Sequence, residues 1–186
     1  VNYFNPEYEI YTRYSYSSNE KKGLSNPVVG RTIEDRDGNL WIGTEGGGLN
    51  YYNRRTREFK WYRPQEGRNS ISHNNVKALY YDADKEIIWI GTHLGGLNKL
   101  DIRSGHFTHY RMEEGNPNTL PSDIIRDIIP YKSLLIIATQ NGVCLFDPAN
   151  GQCQQLFKDS KEGKSIKMVA DVTFDSEGTL WIAATG

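Results

Sequence analysis

The chain has 186 residues, enough for one sizeable core or two small ones. Its formal net charge is −1, so bulk electrostatics favour neither nucleic acid nor an anionic membrane surface as a partner. Aromatic residues make up 12% of the chain, and 18 glycines and 7 prolines stand among them, often in short turn-like clusters. Many aromatic residues separated by glycine-rich turns are typical of an all-β domain.

The chain opens VNYFNPEYEI, without Met and without the basic and apolar segments of a secretory signal. No apolar stretch approaches the roughly 18 residues that a membrane-spanning helix needs. We therefore expect a part of a longer protein, in which contact with a membrane is made only by other parts of the parent.

Four segments of the sequence nearly coincide when they are aligned. They are VVGRTIEDRDGNLWIGTEGGGLNYYN (28–53), NVKALYYDADKEIIWIGTHLGGLNKLD (75–101), IIRDIIPYKSLLIIATQNGVCLFD (124–147) and VADVTFDSEGTLWIAATG (169–186). The anchor residues Trp41, Trp89, Ile136 and Trp181 are 48, 47 and 45 residues apart. Self-similarity at such a period indicates a repeat architecture.

The first repeat divides into four short strands with turn signals between them. The strands are Val28 to Ile33, Leu40 to Thr44, Leu49 to Tyr52 and Glu58 to Tyr62. Four such strands on a period of 45–48 residues predict one blade of a β-propeller. Residues 122–129 have helical spacing instead, but their alignment with the first strand of the other repeats favours a strand.

Both ends of the chain fit the same scheme. Val1 to Asn5 align with a third strand, and the fourth repeat stops just after a second strand. We predict an all-β partial propeller over residues 1–186, a fragment of a larger ring. Its parts are a half blade at 1–14, blades at 28–62, 75–111 and 124–158, and a half blade at 168–186. The half blades could pair within one chain, between two chains, or not at all.

Most of the repeated residues have a structural explanation. Trp41, Trp89, Trp181 and the equivalent Ile136 are predicted to pack between adjacent blades, because large apolar side chains are usually buried. The acidic turn at 35–39 alternates carboxylates as calcium loops do, but it lacks their distal Glu. Asp and Asn also cap tight turns. We favour turn caps, and we predict neither a metal nor a cofactor.

The two cysteines flank a turn at 148–151. If Cys144 faces Gln155 and Cys153 faces Phe146, the cysteines are diagonal neighbours with α-carbons roughly 7–8 Å apart. That separation is beyond comfortable disulfide reach, so we predict two free thiols. A zinc site is disfavoured because no other Cys or close His cluster completes it.

The variable loops are the candidates for binding. The four histidines have no nucleophile at a recognisable spacing, so we predict that the chain is not an enzyme. In a blade, the loop between strands two and three opens on the same face as the linker into the next blade. We predict that polar residues of these segments grip a polar ligand such as a sugar, with ordinary solvated loop as the alternative. They are Glu45, His73, Asn74, His93 and Gln140.

The pattern D-x-x-G-x-L-W-I-G-T-x-x-G-G-L, with N-S-I-S-x-N-x-V upstream, resembles the two-component regulator propeller repeat. Asp35 to Asn53 and Asn69 to Asp101 carry it, while Ile136, Asn141-Gly142 and Ala184 depart from it. The resemblance implies a seven-bladed-type propeller in the periplasmic sensor region of a hybrid two-component sensor histidine kinase. It also implies a receptor that binds an oligosaccharide and signals through rearrangement of a homodimer to a kinase beyond the inner membrane.

Two other functions stay open. A propeller that serves as a scaffold for protein–protein interaction predicts an exposed apolar patch on one face and no concave polar pocket. A propeller lyase or hydrolase requires a metal or an acid–base cluster at the mouth of the channel.

Overall fold

A computed structural model describes residues 2–5, 10–157 and 166–185 of the chain. The secondary structure of these residues is β-strands joined by turns, with one short 3-10 helix at Glu20–Lys22. In these ranges no helix is long and apolar enough to cross a membrane.

Five antiparallel sheets follow one another along the chain. The first has two strands, β1 (Asn2–Asn5) and β2 (Ile10–Arg13). The second contains β3 (Val29–Glu34), β4 (Leu40–Thr44), β5 (Gly48–Asn53) and β6 (Glu58–Tyr62). The third contains β7 (Val76–Asp82), β8 (Ile87–Thr92), β9 (Leu97–Asp101) and β10 (Phe107–Tyr110). The fourth contains β11 (Ile125–Tyr131), β12 (Leu134–Thr139), β13 (Gly142–Phe146) and β14 (Cys153–Leu156). The fifth has two strands, β15 (Lys167–Phe174) and β16 (Leu180–Thr185).

Strands that are neighbours in the chain are neighbours in every sheet, which is the order of a propeller blade. The predicted all-β propeller architecture is therefore confirmed, and residues 125–129 of the segment with helical spacing lie in the strand β11. Three of the predicted boundaries lie outside the described residues: residue 1, residue 158 at the end of the third blade, and residue 186. Among the described residues, the sheets β1–β2 and β15–β16 are separate and are not hydrogen-bonded to each other.

The first strands of successive sheets lie side by side. β3 contacts β7, β7 contacts β11, and β11 contacts β15. Apolar clusters fill the spaces between the second and third, the third and fourth, and the fourth and fifth sheets, so these sheets pack face to face. This arrangement places the first strand of each blade at the hub and the fourth strand at the rim.

Three of the four anchor residues are buried as predicted. We number the three four-stranded sheets as the first, second and third blades. Trp41 packs against the second blade (β7–β10), Trp89 against the third (β11–β14), and Ile136 against β15, and each is 1–2% exposed. The prediction for Trp181 is wrong, because its side chain is 62% exposed. Its sheet has two strands, and in the described part of the chain no further sheet covers the side on which the other three anchors meet a neighbour.

The predicted register of the cysteines is confirmed, since Cys144 lies opposite Gln155 and Cys153 opposite Phe146. Both thiols are free and buried. Their sulfur atoms are nevertheless only 3.1 Å apart, closer than diagonal neighbours were expected to come.

Candidate functional site

The loop between the second and third strands of a blade is fixed to the linker that enters the next blade. The amides of Gly46 and Gly48 donate to the Asn74 carbonyl at 3.2 and 2.7 Å, and the Gly96 amide donates to the Asp123 carbonyl at 2.9 Å. Loops and linkers therefore meet at one end of the blades, which we call the loop face. It comprises residues 24–28, 44–48, 71–75, 92–96, 120–124 and 139–142.

A buried threonine closes each loop. The hydroxyl of Thr44 donates to the Gly48 carbonyl at 2.8 Å, that of Thr92 donates to the Gly96 carbonyl at 2.9 Å, and the bond recurs in the third blade. Gly48 has a φ of +82° and Gly96 one of +70°, a backbone conformation that favours glycine. The repeated T-x-x-G-G sequence therefore holds the backbone of the loop in the same conformation, while the residues between Thr and Gly vary.

An ion pair lies where the loop face meets the strand β7, between the first two blades. The carboxylate of Glu45, in the loop of the first blade, accepts a hydrogen bond from the ammonium of Lys77 on β7. This bond and then the charge of Lys77 lower the pKa of Glu45, and a smaller effect in the same direction comes from His93. Glu45 is therefore ionised at neutral pH, and acidic, basic and imidazole groups lie close together.

Two histidines and Asn75 form the next part of the loop face. His73 Nδ1 accepts from the backbone amide of Asn75 at 3.1 Å, and the backbone amide of His93 donates to the backbone carbonyl of Asn75 at 2.9 Å. Burial lowers the pKa of His73, and the charges of His93 and Arg111 lower it further, so this imidazole is neutral at pH 7. Two buried side-chain atoms here, Asn75 Oδ1 and His93 Nδ1, have no hydrogen-bond partner among the described residues.

Asn74 and Gln140 have different surroundings. The Asn74 side chain is exposed, and its backbone carbonyl holds the glycine turn of the first blade. In the third blade, Gln140 occupies the position that Glu45 holds in the first blade and His93 holds in the second. Its amide donates to the Ile124 carbonyl at 3.0 Å, and its carbonyl accepts from the Met168 amide at 2.6 Å.

The structure thus groups Glu45, His73 and His93 with the adjacent Asn74, whereas Gln140 stands beside a different linker. Two members of the group, Lys77 and Asn75, were not predicted. A signal for Asn75 exists in the alignment, because it is polar where Val28 and Ile124 are apolar. Lys77 had no local signal, since its partner lies 32 positions away.

The acidic turns serve the backbone. Asp35 Oδ1 accepts from the amides of Asp37 and Asn39 at 3.0 and 2.9 Å, as a turn cap does. Across the described ranges, no group of three or more His, Cys, Asp or Glu residues is placed to hold a metal ion.

A second charged cluster lies at the hub. Arg31, Asp127 and Asp171 occupy the same position on the first strands of their repeats. Arg31 Nη2 is 3.0 Å from Asp127 Oδ1 and 3.9 Å from Asp171 Oδ1. This side chain therefore reaches across the hub from the first blade to the third blade and to the sheet β15–β16. Burial raises the pKa of Asp127, and its hydrogen bond with Asp171 raises it further.

Two grooves lie at the rim of the third blade. One has a volume of about 480 Å³ and is lined by residues of β12–β14 and by Pro117 and Asn118. The other, of about 400 Å³, lies beside it under the linker at 112–117. Neither groove is lined by a residue of the predicted binding set, although the second is lined in part by Leu120 and Pro121 of the loop face.

Two segments of the chain, residues 23–46 and 70–93, match the sequence family described as two component regulator propeller. Each segment runs from a linker to the loop of the same blade and so includes part of the loop face. No curated protein sequence matches the chain.

Several solved structures are similar in fold. The extracellular domain of BT3049 from B. thetaiotaomicron, assigned to a hybrid two component system, matches with a TM-score of 0.78 at 24% identity, over 92% of this chain and 24% of that chain. The extracellular domain of BT4673 from the same organism, assigned to a one component system, matches with a TM-score of 0.74 at 22% identity, over 96% and 24%. PorZ, a surface component of the type-IX secretion system of Porphyromonas gingivalis, matches with a TM-score of 0.69 at 18% identity, over 96% and 27%. The chain spans about a quarter of the length of each, and at these identities the likeness concerns the fold.

Proposed function

We propose, from the premise that this chain carries two-component regulator propeller repeats, that it is a ligand-sensing part of an extracytoplasmic receptor. The receptor is a hybrid two-component sensor histidine kinase of the inner membrane, and this part of it lies in the periplasm. The ligand is an oligosaccharide that binds at the loop face, and binding changes the arrangement of a homodimer.

The observation that carries this proposal is the mixture of polar groups on the loop face. The ionised Glu45 accepts hydrogen bonds and Lys77 donates them. The neutral His73 accepts at Nδ1 from the backbone amide of Asn75, so its Nε2 donates, and the side-chain amide of Asn74 can do either. Sugar hydroxyls both donate and accept, so a surface that offers both roles within a short distance suits them.

Apolar side chains accompany these polar groups and favour a second candidate function. Val28, Leu94 and Met168 belong to the loop face or adjoin it, and they are 52–56% exposed. They could contact the apolar faces of sugar rings, or they could form part of a contact with a protein partner. Binding measurements with the two kinds of ligand separate the candidates.

The test is a titration of the purified chain with a panel of oligosaccharides, followed by calorimetry. The variant Asn74→Ala changes an exposed side chain without removing the backbone carbonyl that holds the turn. The variant Glu45→Gln keeps the shape and removes the charge. We expect each to weaken binding at least tenfold.

Gln154→Ala is the matched control, because Gln154 is exposed on β14 and lines the rim groove instead. Its affinity should equal that of the unmodified chain. Loss of binding in this control alone would place the ligand in the rim groove, and no binding to any sugar would reject the ligand class.

The proposed dimer is tested by the mass in solution, measured by light scattering behind a sizing column. A dimer supports rearrangement of two copies as the signalling step. A monomer at every concentration and with every ligand would contradict it for this chain.

A further inference from the structure

The third blade lacks a polar clamp that the two preceding blades share. In the second blade, Asn98 Oδ1 accepts from the Ser72 amide at 2.8 Å, and Asn98 Nδ2 donates to the Ser72 hydroxyl at 2.8 Å. Asn50 and Ser25 make the same two bonds in the first blade, both at 2.8 Å. Each clamp ties a third strand to the linker that enters its own blade.

In the third blade both positions of the clamp are changed. Cys144 stands on β13 where Asn50 and Asn98 stand on the third strands of the other blades. Pro121 stands four residues before Ile125, as Ser72 stands four residues before Val76. Proline has no amide hydrogen, so an asparagine on β13 would have lost both of its partners.

A second cysteine appears on the adjacent strand of the same blade. Cys153 stands on β14 where the other blades have Phe59 and Phe107 on their fourth strands. The chain has two cysteines in all, and both replace residues of another type at neighbouring positions of one blade.

The backbone brings these two side chains together. The Cys153 amide donates to the Asn118 carbonyl at 2.8 Å, away from β13, so Cys153 and Phe146 form a non-hydrogen-bonded pair. The α-carbons of such a pair are only about 4.5 Å apart. Cys144 lies two residues from Phe146 on the same side of β13, and strand twist shortens one of the two diagonals. The sulfurs are 3.1 Å apart, and the residues are 0% and 4% exposed.

We propose that Cys144 and Cys153 are a disulfide-forming pair that joins β13 to β14 and takes the place of the asparagine–serine clamp. The oxidant is a disulfide of a thiol–disulfide oxidoreductase or of glutathione. The two thiols lose two electrons and two protons, a sulfur–sulfur bond forms between them, and the disulfide of the oxidant is reduced to two thiols. The structure holds the reduced form of the pair.

The bond forms while the blade is folding. The hydrogen bond between the two thiols, together with burial, holds the pKa of Cys144 well above its usual value, so the folded blade contains little of the reactive thiolate. Exchange with an oxidant therefore precedes the closure of β14 on β13. In the parent protein, formation of the disulfide depends on the proposed periplasmic location, where disulfides persist.

The experiment refolds the purified chain in glutathione buffers that range from reducing to oxidising. Samples are then unfolded, alkylated and weighed by mass spectrometry. From the oxidising buffer we expect a product that takes up no alkylating group, has a mass about 2 Da below that of the reduced chain, and yields a peptide linking residues 144 and 153. Its thermal midpoint should fall by several degrees when a reductant is added.

The single variants Cys144→Ala and Cys153→Ala are the matched controls, and each should instead take up one glutathione or one alkylating group. The mass is read on unfolded protein, so it is informative even where a variant is unstable. Two alkylated thiols, or two bound glutathiones, in the original chain after refolding in the oxidising buffer would overturn the proposal. Neither result depends on sugar binding or on location, which the titration and a fractionation of cells test separately.

Discussion

Asp35 and Trp41 are joined by a hydrogen bond of 3.0 Å from the indole Nε1 to the carboxylate Oδ2. The other oxygen of the same carboxylate caps the turn between β3 and β4. One side chain thus shapes the turn and satisfies a buried donor, which explains why Asp and Trp stand six residues apart in the repeat. The last repeat makes the same bond between Asp175 and Trp181 at 2.8 Å.

This bond predicts that Asp35→Ala destabilises the chain by about 2–4 kcal/mol, because the turn loses its cap and Trp41 Nε1 is left buried without a partner. Asp175→Ala is the matched control. It removes the same bond, but Trp181 is 62% exposed, so water can satisfy the indole and the loss should be smaller. Urea unfolding measures both losses. Equal losses would show that burial of the indole contributes nothing.

The second blade shows what happens when the spacing changes. Asp82 and Trp89 are seven residues apart, and Asp82 binds the Lys85 amide and ammonium instead. Trp89 Nε1 is buried and has no partner among the described residues. Its ring still packs against Phe146, with ring centroids 5.4 Å apart. Packing alone therefore holds this indole in the core.

Truncation of Trp89 tests that conclusion. We expect Trp89→Ala to reduce the free energy of unfolding by about 3–5 kcal/mol, from lost burial and from the cavity between the second and third blades. Trp181→Ala should change it by less than about 1 kcal/mol, since most of that side chain is already in water. Thermal melts of the two variants decide the matter. An unchanged midpoint in Trp89→Ala would contradict the core assignment.

The contrast between Trp89 and Trp181 also shows where prediction from sequence ends. Strand bounds follow from local alternation and turn residues, and the predicted strand Val28 to Ile33 is β3, Val29–Glu34, within one residue. Burial of Trp181 depends instead on a neighbouring sheet, which a repeat pattern within one segment does not specify. In the candidate site, the loop residues could be predicted because their positions vary on a constant scaffold, whereas the partner of Glu45 could not.

The hub cluster could not be predicted from the sequence for the same reason, since Arg31 and Asp127 are 96 residues apart in the chain. It gives a prediction on pH. The pKa of Asp127 is raised in the folded state by burial and by Asp171, so the folded chain holds this proton more tightly than the unfolded chain does. The stabilisation that this proton provides is therefore complete below about pH 4, the pKa of an unfolded Asp, and it is lost as pH rises through the pKa of Asp127 in the folded chain.

Asp127→Asn removes that titration while it keeps an oxygen that can accept from Arg31. We expect the thermal midpoint of the variant to fall less than that of the unmodified chain as pH rises from about 4 into the neutral range. Measurement of both midpoints at closely spaced pH values tests this. Parallel curves would mean that Asp127 does not titrate differently in the folded and unfolded states.

The clamp positions give a prediction that needs two substitutions. In reducing buffer, Cys144→Asn should lower the free energy of unfolding by about 1–3 kcal/mol, because a buried amide then faces Pro121, which offers neither an amide hydrogen nor a hydroxyl. Adding Pro121→Ser supplies the partners that Ser72 supplies to Asn98, and most of the loss should be recovered. Pro121→Ser alone should cost stability, since its hydroxyl would lie opposite a thiol. A double-mutant cycle by urea unfolding measures the coupling. If the effects of the two substitutions simply add, the third blade does not accommodate the clamp, and the exchange of Asn and Ser for Cys and Pro is unrelated to it.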